Sequence, residues 1–189
     1  MAIWLTSDWH INHDKEFIYR NRGCDNVKYM NAAILNLVYN CVQEDDDLYI
    51  LGDVFLGSTE DEKIKSILES IPCRIHIIRG NHDSDRKVNA YASAKNVVEI
   101  EYATIIKYNK WKFYLSHYPT KTANTGDKEK PLHRRLWNLC GHSHTCNRWC
   151  DYDMNSYHVE VDAHNCYPVS LDKIIKEIKE REELYKGPF

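Results

Sequence analysis

The stretch Ile75-His76-Ile77-Ile78-Arg79-Gly80-Asn81-His82-Asp83 passes from an apolar run straight into a cluster of polar residues. Four other segments do the same. Ile3-Trp4-Leu5 leads to Asp8-Trp9-His10, and Leu48-Tyr49-Ile50-Leu51 leads to Gly52-Asp53. Phe113-Tyr114-Leu115 leads to His117, and Leu136-Trp137-Asn138-Leu139-Cys140 leads to Gly141-His142-Ser143-His144. Short apolar runs of this kind mark strands buried on both faces. Open α/β sheets bind ligands beyond the carboxyl ends of such strands. Strands sharing one core would bring these polar endings together. Asp, Asn and His gathered in one place are metal-ligand chemistry.

The chain has 189 residues, 43% hydrophobic and 12% aromatic, which suits one compact domain over residues 1–189. No apolar stretch approaches the roughly 18 residues needed to cross a bilayer, so no membrane partner is expected. Met1-Ala2-Ile3-Trp4 enters a strand-like run directly, without the pattern of a signal peptide. A cytoplasmic protein is the expectation. The seven cysteines are odd in number and scattered, which suits reduced thiols rather than a disulfide framework. Cys140, Cys146 and Cys150 cluster near the last histidines, but not at the C-x2-C spacing of zinc ribbons. The formal net charge of −3 selects no partner. Lys121 to Arg135 is locally basic through Lys121, Lys128, Lys130, Arg134 and Arg135. It reads either as a solvated loop or as a mobile flap over an anionic substrate.

Helical periodicity appears three times. Val27, Met30, Ile34, Leu37, Val38 and Cys41 form one face of a helix running to about Gln43. Thr59 and Glu62 have capping-box spacing ahead of Ile64, Ile67 and Leu68, with Pro72 as the stop. Leu171, Ile174, Ile175 and Ile178 form a stripe behind Ser170, the expected N-cap. A shorter helix is expected after Asp83, through Val88 and Tyr91. Thr104-Ile105-Ile106, an Asn109-Lys110 turn and Trp111 to Tyr114 read as a hairpin, with a further strand over Tyr157 to Val161. The fold class is α/β: two packed mixed β-sheets flanked by helices.

The ordered blocks Asp8-x-His10, Gly52-Asp53, Gly80-Asn81-His82-Asp83, His117 and Gly141-His142-x-His144 resemble the calcineurin-like metallophosphoesterase superfamily. Val161-Asp162-Ala163-His164-Asn165 and Ser116-His117-Tyr118-Pro119 look like its small prokaryotic and phage members, which are four-layer sandwiches. The resemblance implies two divalent metal ions. Asp8, His10 and His144 would hold the first, Asn81, His117 and His142 the second, and Asp53 would bridge them. Mn²⁺ is the expected ion, with Fe²⁺, Zn²⁺, Co²⁺ and Ni²⁺ compatible with the same N/O donors. His82 is not a ligand in this pattern. It would assist the leaving group while a hydroxide bridging the ions attacks. Leu56 stands where the protein-phosphatase branch carries a second Asp, which disfavours that branch. Asp83 could partner His82 in its place, or cap the following helix.

The expected activity is hydrolysis of a small, nucleotide-like phosphodiester or phosphomonoester. A nuclease or nucleic-acid end-processing enzyme is the alternative, and a noncatalytic binding scaffold is a third reading. Asn12, His13, Arg20 and Arg22 are candidate substrate contacts. Trp9 and Trp137 read as packing residues beside the metal loops, with Trp9 a candidate for lining the cleft. The substrate's identity and the oligomeric state lie outside what the residues specify.

Overall fold

A computed structural model describes residues 1–123, 126–150 and 153–185. Sheet one contains β1 (Ile3–Thr6), β2 (Asp47–Ile50), β3 (Arg74–Ile78), β4 (Val97–Glu101) and β9 (Val169–Ser170), in the order β4-β3-β2-β1-β9. Its first four strands are parallel, and β9 runs antiparallel to β1. Sheet two contains β5 (Ala103–Tyr108), β6 (Trp111–Ser116), β7 (Leu136–Cys140) and β8 (Ser156–His158), in that order. There β5–β6 is antiparallel, whereas β6, β7 and β8 are parallel. Both sheets are mixed, as the strand patterns predict.

Two apolar clusters hold these layers. The first joins Leu48, Ile50, Ile75 and Ile77 of sheet one to α2 (Val27–Cys41), α3 (Asp61–Glu69) and α4 (Asp85–Ala92). The second joins Leu5, Tyr49 and Ile78 to Phe113, Leu115, Leu139 and Tyr157, with α5 (Leu171–Tyr185) closing it through Leu171, Ile174 and Ile178. Alternate residues of one strand thus face different cores: Tyr49 looks to the second cluster, Leu48 and Ile50 to the first. Burying each such Leu or Ile contributes about 1.5–3 kcal/mol.

Local chemistry explains the boundaries. The Asn26 carboxamide accepts from the N–H groups of Lys28 and Tyr29, starting α2 at Val27. Met30, Ile34 and Val38 then bury one face, and the helix stops at Cys41, ahead of Gln43. The expected Thr59–Glu62 capping box does not form. Thr59 is buried and its hydroxyl accepts from Asn12 Nδ2 at 2.9 Å, so α3 begins at Asp61 without a side-chain cap. Ser170 does meet the start of α5, its Oγ accepting from Lys173 N at 3.3 Å. The strand expected to reach Val161 ends at His158; Val161–His164 is a 3₁₀ turn instead. Only the isolated bridge between Ser7 and Glu160 extends the pairing there.

Between β5 and β6, Asn109 (φ 47°) and Lys110 (φ 71°) close a two-residue hairpin with both residues left-handed. Asn tolerates this conformation and Lys does not. Lys110→Gly is expected to stabilise the fold by about 0.5–1 kcal/mol, after the added unfolded-state entropy is subtracted. Urea unfolding with an unchanged m-value and a raised midpoint would confirm it; a lowered midpoint would refute it.

Candidate metal centre

The polar endings of β1, β2, β3, β6 and β7 meet at the carboxyl edges of the two sheets. Main-chain hydrogen bonds stitch the endings together. Asp8 N donates to Gly52 O and His10 N to Asp53 O, each at 3.0 Å. Gly141 N donates to His117 O at 3.0 Å. The chain turns sharply as it leaves each strand. Asp8 (φ 57°), His10 (49°), Asp53 (54°), His142 (72°) and His144 (49°) all occupy the left-handed region. Such conformations cost of order 1–3 kcal/mol each and persist only where the surroundings enforce them.

Two donor clusters result. In one, His10 Nε2 and His144 Nε2 lie 3.0 Å apart, with Asp8 Oδ1 at 3.9 and 3.8 Å from them. In the other, Asn81 Oδ1 lies 2.9 Å from His117 Nε2 and 3.0 Å from His142 Nδ1. Asp53 Oδ2 stands between them, 3.7 Å from His10 Nε2 and 3.6 Å from His117 Nε2. Asp8–His10–His144 and Asp8–Asp53–His117 each bring their donor atoms close enough to share one ion.

Protonation shows what these clusters lack. His144 Nδ1 faces Asp162 Oδ2 at 2.9 Å, and His117 Nδ1 faces Leu51 O at 2.8 Å. Each contact places a proton on Nδ1 and leaves a lone pair on Nε2, aimed into the centre. His117 Nε2 thus points its lone pair at an amide oxygen and a carboxylate. Asp8 Oδ1 is buried and has no hydrogen-bond partner among the described residues. Burial pushes the Asp8 carboxyl up to about 6 against the opposing influence of His117, and burial with the surrounding cations and imidazoles pushes His10 down to about 2. Converging lone pairs with an orphaned carboxylate oxygen are what a divalent cation would satisfy. The residues fit the metal.

The surrounding groups aim the donors. Asp83 is buried; its Oδ2 accepts from Asp53 N and Gly80 N, both at 2.8 Å, and its Oδ1 accepts from Tyr91 Oη at 2.7 Å. It neither caps α4 nor partners His82, the two roles expected of it. A Cβ on Gly80 would collide with the Asp53 carboxylate, and one on Gly141 with Asp8 and Ser7. Asp162, to which the sequence motifs assign no role, orients His144. Burial opposes its charge, but hydrogen bonds from His144 and Arg22 hold its carboxyl well below the usual carboxylate range. Asp162 lies in a 3₁₀ turn four residues past the end of β8, so the signal that marks it is a sixth strand ending, Tyr157 to Val161 followed by an acidic residue.

His82 lies beside the clusters, its ring centroid 5.5 Å from that of His10 and its backbone N–H bonded to Asp53 Oδ1 at 2.8 Å. His13 also faces His10, at 5.5 Å between centroids. The other three candidate substrate contacts have protein partners. Asn12 spends its carboxamide on Asn31 and Thr59. Arg20 makes surface ion pairs with Glu16 and Asp25. Arg22, its side chain 1% exposed, forks onto Asp162 and donates to the carbonyls of Asp8 and Trp9, so it braces the first loop rather than clamping phosphate. Trp9 is buried and donates to Thr6, which makes it a packing residue and not a cleft residue. In the basic segment, two of the cations are paired. Lys130 pairs with Asp127, and buried Arg135 pairs with Glu182 of α5. Asn124 and Thr125 lie outside the described residues, as does the Lys128 side chain. Cys140 and Cys150 are buried free thiols, Cys146 is an exposed one, and none joins a candidate metal group among the described residues.

Two mixed sheets with carboxylates, imidazoles and a carboxamide gathered at their strand ends define the metal-dependent phosphoester-hydrolase class. The chain belongs to the calcineurin-like phosphoesterase family, whose model matches residues 1–186. It is 34% identical over 182 residues to the uncharacterized protein MJ1445 of Methanocaldococcus jannaschii, covering 94% of this chain and 91% of that one. A probable cyclic nucleotide phosphodiesterase of Coxiella burnetii is 23% identical over 202 residues, covering 90% and 78%. The solved structure of a protein of unknown function, AQ665 from Aquifex aeolicus, shares the fold with a TM-score of 0.65 at 24% identity, covering 94% and 99%.

Two substitutions test the construction. Gly80→Ala is expected to weaken Mn²⁺ binding by at least about tenfold through displacement of Asp53, as read by calorimetric titration of the folded variant. Asp162→Ala is expected to cost about 10–100-fold in the same affinity. Wild-type affinity in either variant would show that the contact does not position its ligand.

Proposed function

We propose that the protein hydrolyses a small phosphodiester or phosphomonoester of nucleotide type at a two-ion centre. Asp8, His10 and His144 hold one ion and Asn81, His117 and His142 the other, with Asp53 shared. The observation that carries this reading is the position of Asp53 Oδ2, 3.7 Å from His10 Nε2 and 3.6 Å from His117 Nε2, between two separate donor clusters. Bound divalent ions in such a site acidify water and offset the charge of phosphoryl oxygens.

His82 supplies what the donor set does not. Its backbone is tied to Asp53 and its side chain has no hydrogen-bond partner among the described residues, so the ring is available to the departing oxygen. It donates a proton or a hydrogen bond as that oxygen gains charge. Mixed nitrogen and oxygen donors suit Mn²⁺, the ion proposed here, and also accept Fe²⁺, Zn²⁺, Co²⁺ and Ni²⁺. The similarity to a probable cyclic nucleotide phosphodiesterase of Coxiella burnetii supports a nucleotide-type substrate. Seven free thiols support a reducing, cytoplasmic setting, and no helix of the described residues is long and apolar enough to cross a membrane.

With added Mn²⁺ the protein is expected to hydrolyse bis-p-nitrophenyl phosphate, and chelation to abolish turnover. Asp53→Ala should lose at least about a thousandfold through loss of the carboxylate shared by the two ions, and His82→Ala about 10²–10⁴ in kcat with metal binding intact. Folded, metal-loaded protein that turned over neither aryl esters nor cyclic nucleotides would sink the proposal. Salt-sensitive cleavage of oligonucleotides alone would move it to the nucleases.

A further inference from the structure

A groove of about 780 Å³ opens on the His144 side of the centre. Phe17, Ile18 and Asn21 form one wall, Asn165 stands on the other, and the Arg22–Asp162 ion pair lies at its base. That size belongs to the pockets that take whole organic ligands, and a phosphate alone would leave it empty. His144 joins the two spaces: its Nε2 points to His10, and its Nδ1 to Asp162 in the groove.

The lining selects among possible occupants. Phe17 is 64% exposed, and its ring touches the His13 ring edge-on at 5.9 Å between centroids. A large apolar ring is thus left uncovered at the rim, available for stacking. Asn21 and Asn165 are exposed, and neither side-chain amide has a hydrogen-bond partner among the described residues. Each offers both a donor and an acceptor. Asn165 is held at φ 51°, followed by Cys166 at φ 66°, and two successive left-handed residues fix the bend that presents it. Arg22, the cation lining the groove, is committed to Asp162 on both arms of its fork. The groove therefore has a stacking face and neutral hydrogen-bonding groups, but no spare positive charge. Farther along, beside α5, the surface carries Glu177 and Glu180 together with Arg148 and Arg181, and Arg148 pairs with Glu177 at 2.9 Å, so it offers no net positive track to a run of phosphates.

We infer that this groove is a subsite for a flat, uncharged heterocyclic arm of nucleoside size, carried by the phosphate ester that the centre cleaves. The inference rests on the proposed hydrolysis for its catalytic readout, and on binding alone for a second one. An ester arm leaving the centre on the His144 side enters the groove, lies against Phe17 and meets the amides of Asn21 and Asn165. A polynucleotide strand would find no net positive track for its next phosphates there, so a single arm of nucleoside size is the occupant that the lining favours.

The kinetic test compares thymidine 5′-p-nitrophenyl phosphate with methyl p-nitrophenyl phosphate, which share a leaving group and differ in the other arm. The Mn²⁺-loaded wild type is expected to favour the nucleoside ester by at least about tenfold in kcat/KM. Phe17→Ala should shrink that ratio about five- to tenfold, through KM, and Phe17→Trp should restore it. Equal kcat/KM for the two esters in the wild type, or a ratio unmoved in Phe17→Ala, overturns the subsite. If neither ester turns over, aryl diester hydrolysis fails by itself and calorimetry decides the subsite. Thymidine 5′-monophosphate should then bind the Mn²⁺-loaded protein more tightly than inorganic phosphate, and Phe17→Ala should erase the difference. No such difference in the wild type overturns the inference. Phe17 lies largely outside the core, and matching circular dichroism spectra would confirm that each variant folds.

Discussion

Lone pairs forced together without enough protons to separate them are the constraint on which this molecule is organised. His117 and His144 have their tautomers fixed from behind, by the Leu51 carbonyl and the Asp162 carboxylate. Their free nitrogens can then only face inward, towards Asp53, Asp8 and Asn81. Mutual repulsion would open such an arrangement in water. Here the sheets prevent it: the donors stand at the ends of strands already locked by their ladders, and a bound cation would supply the missing positive charge.

The supporting contacts follow from that constraint. Asp83 ties the main chains of Asp53 and Gly80 through one carboxylate oxygen. Arg22 ties the carbonyls of Asp8 and Trp9 to Asp162, linking the first loop to the 3₁₀ turn near the end of the chain. Gly80 and Gly141 let main chain approach carboxylates where any Cβ would collide. Each of these acts on a ligand indirectly, which is how outer contacts tune metal sites.

What could be read from the chain in advance follows the same division. Strand endings announce the donors because buried parallel strands are continuous apolar runs and a polar break in them is conspicuous. β4 carried no such signal: Val97-Val98-Glu99-Ile100-Glu101 is an edge strand with charged residues, and it ends at no ligand. Arg22 and Asp162 were legible as charges, but not as partners, because they lie 140 residues apart and only the fold brings them together. Thr59 shows the reverse failure. Its local spacing was that of a helix cap, and a tertiary contact from Asn12 took the hydroxyl. Asn12 is the other half of that contact: a polar residue just past the donor loop, it also bonds Asn31 and so holds two neighbouring segments in place.

The main-chain bonds between strand endings have a consequence for how such a protein can diversify. Asp8 is referenced to Gly52, His10 to Asp53 and Gly141 to His117, so the main chains of the strand endings are positioned by one another. The segment carrying Phe17 and the bend carrying Asn165 lie outside that set of mutual references. Each nevertheless adjoins an anchor of the centre: Arg22 follows Phe17 and braces the first loop, and Asp162 precedes Asn165 and aims His144. Under the proposed subsite, an engineer could exchange a recognition loop only around the Arg22–Asp162 pair, keeping that pair in place.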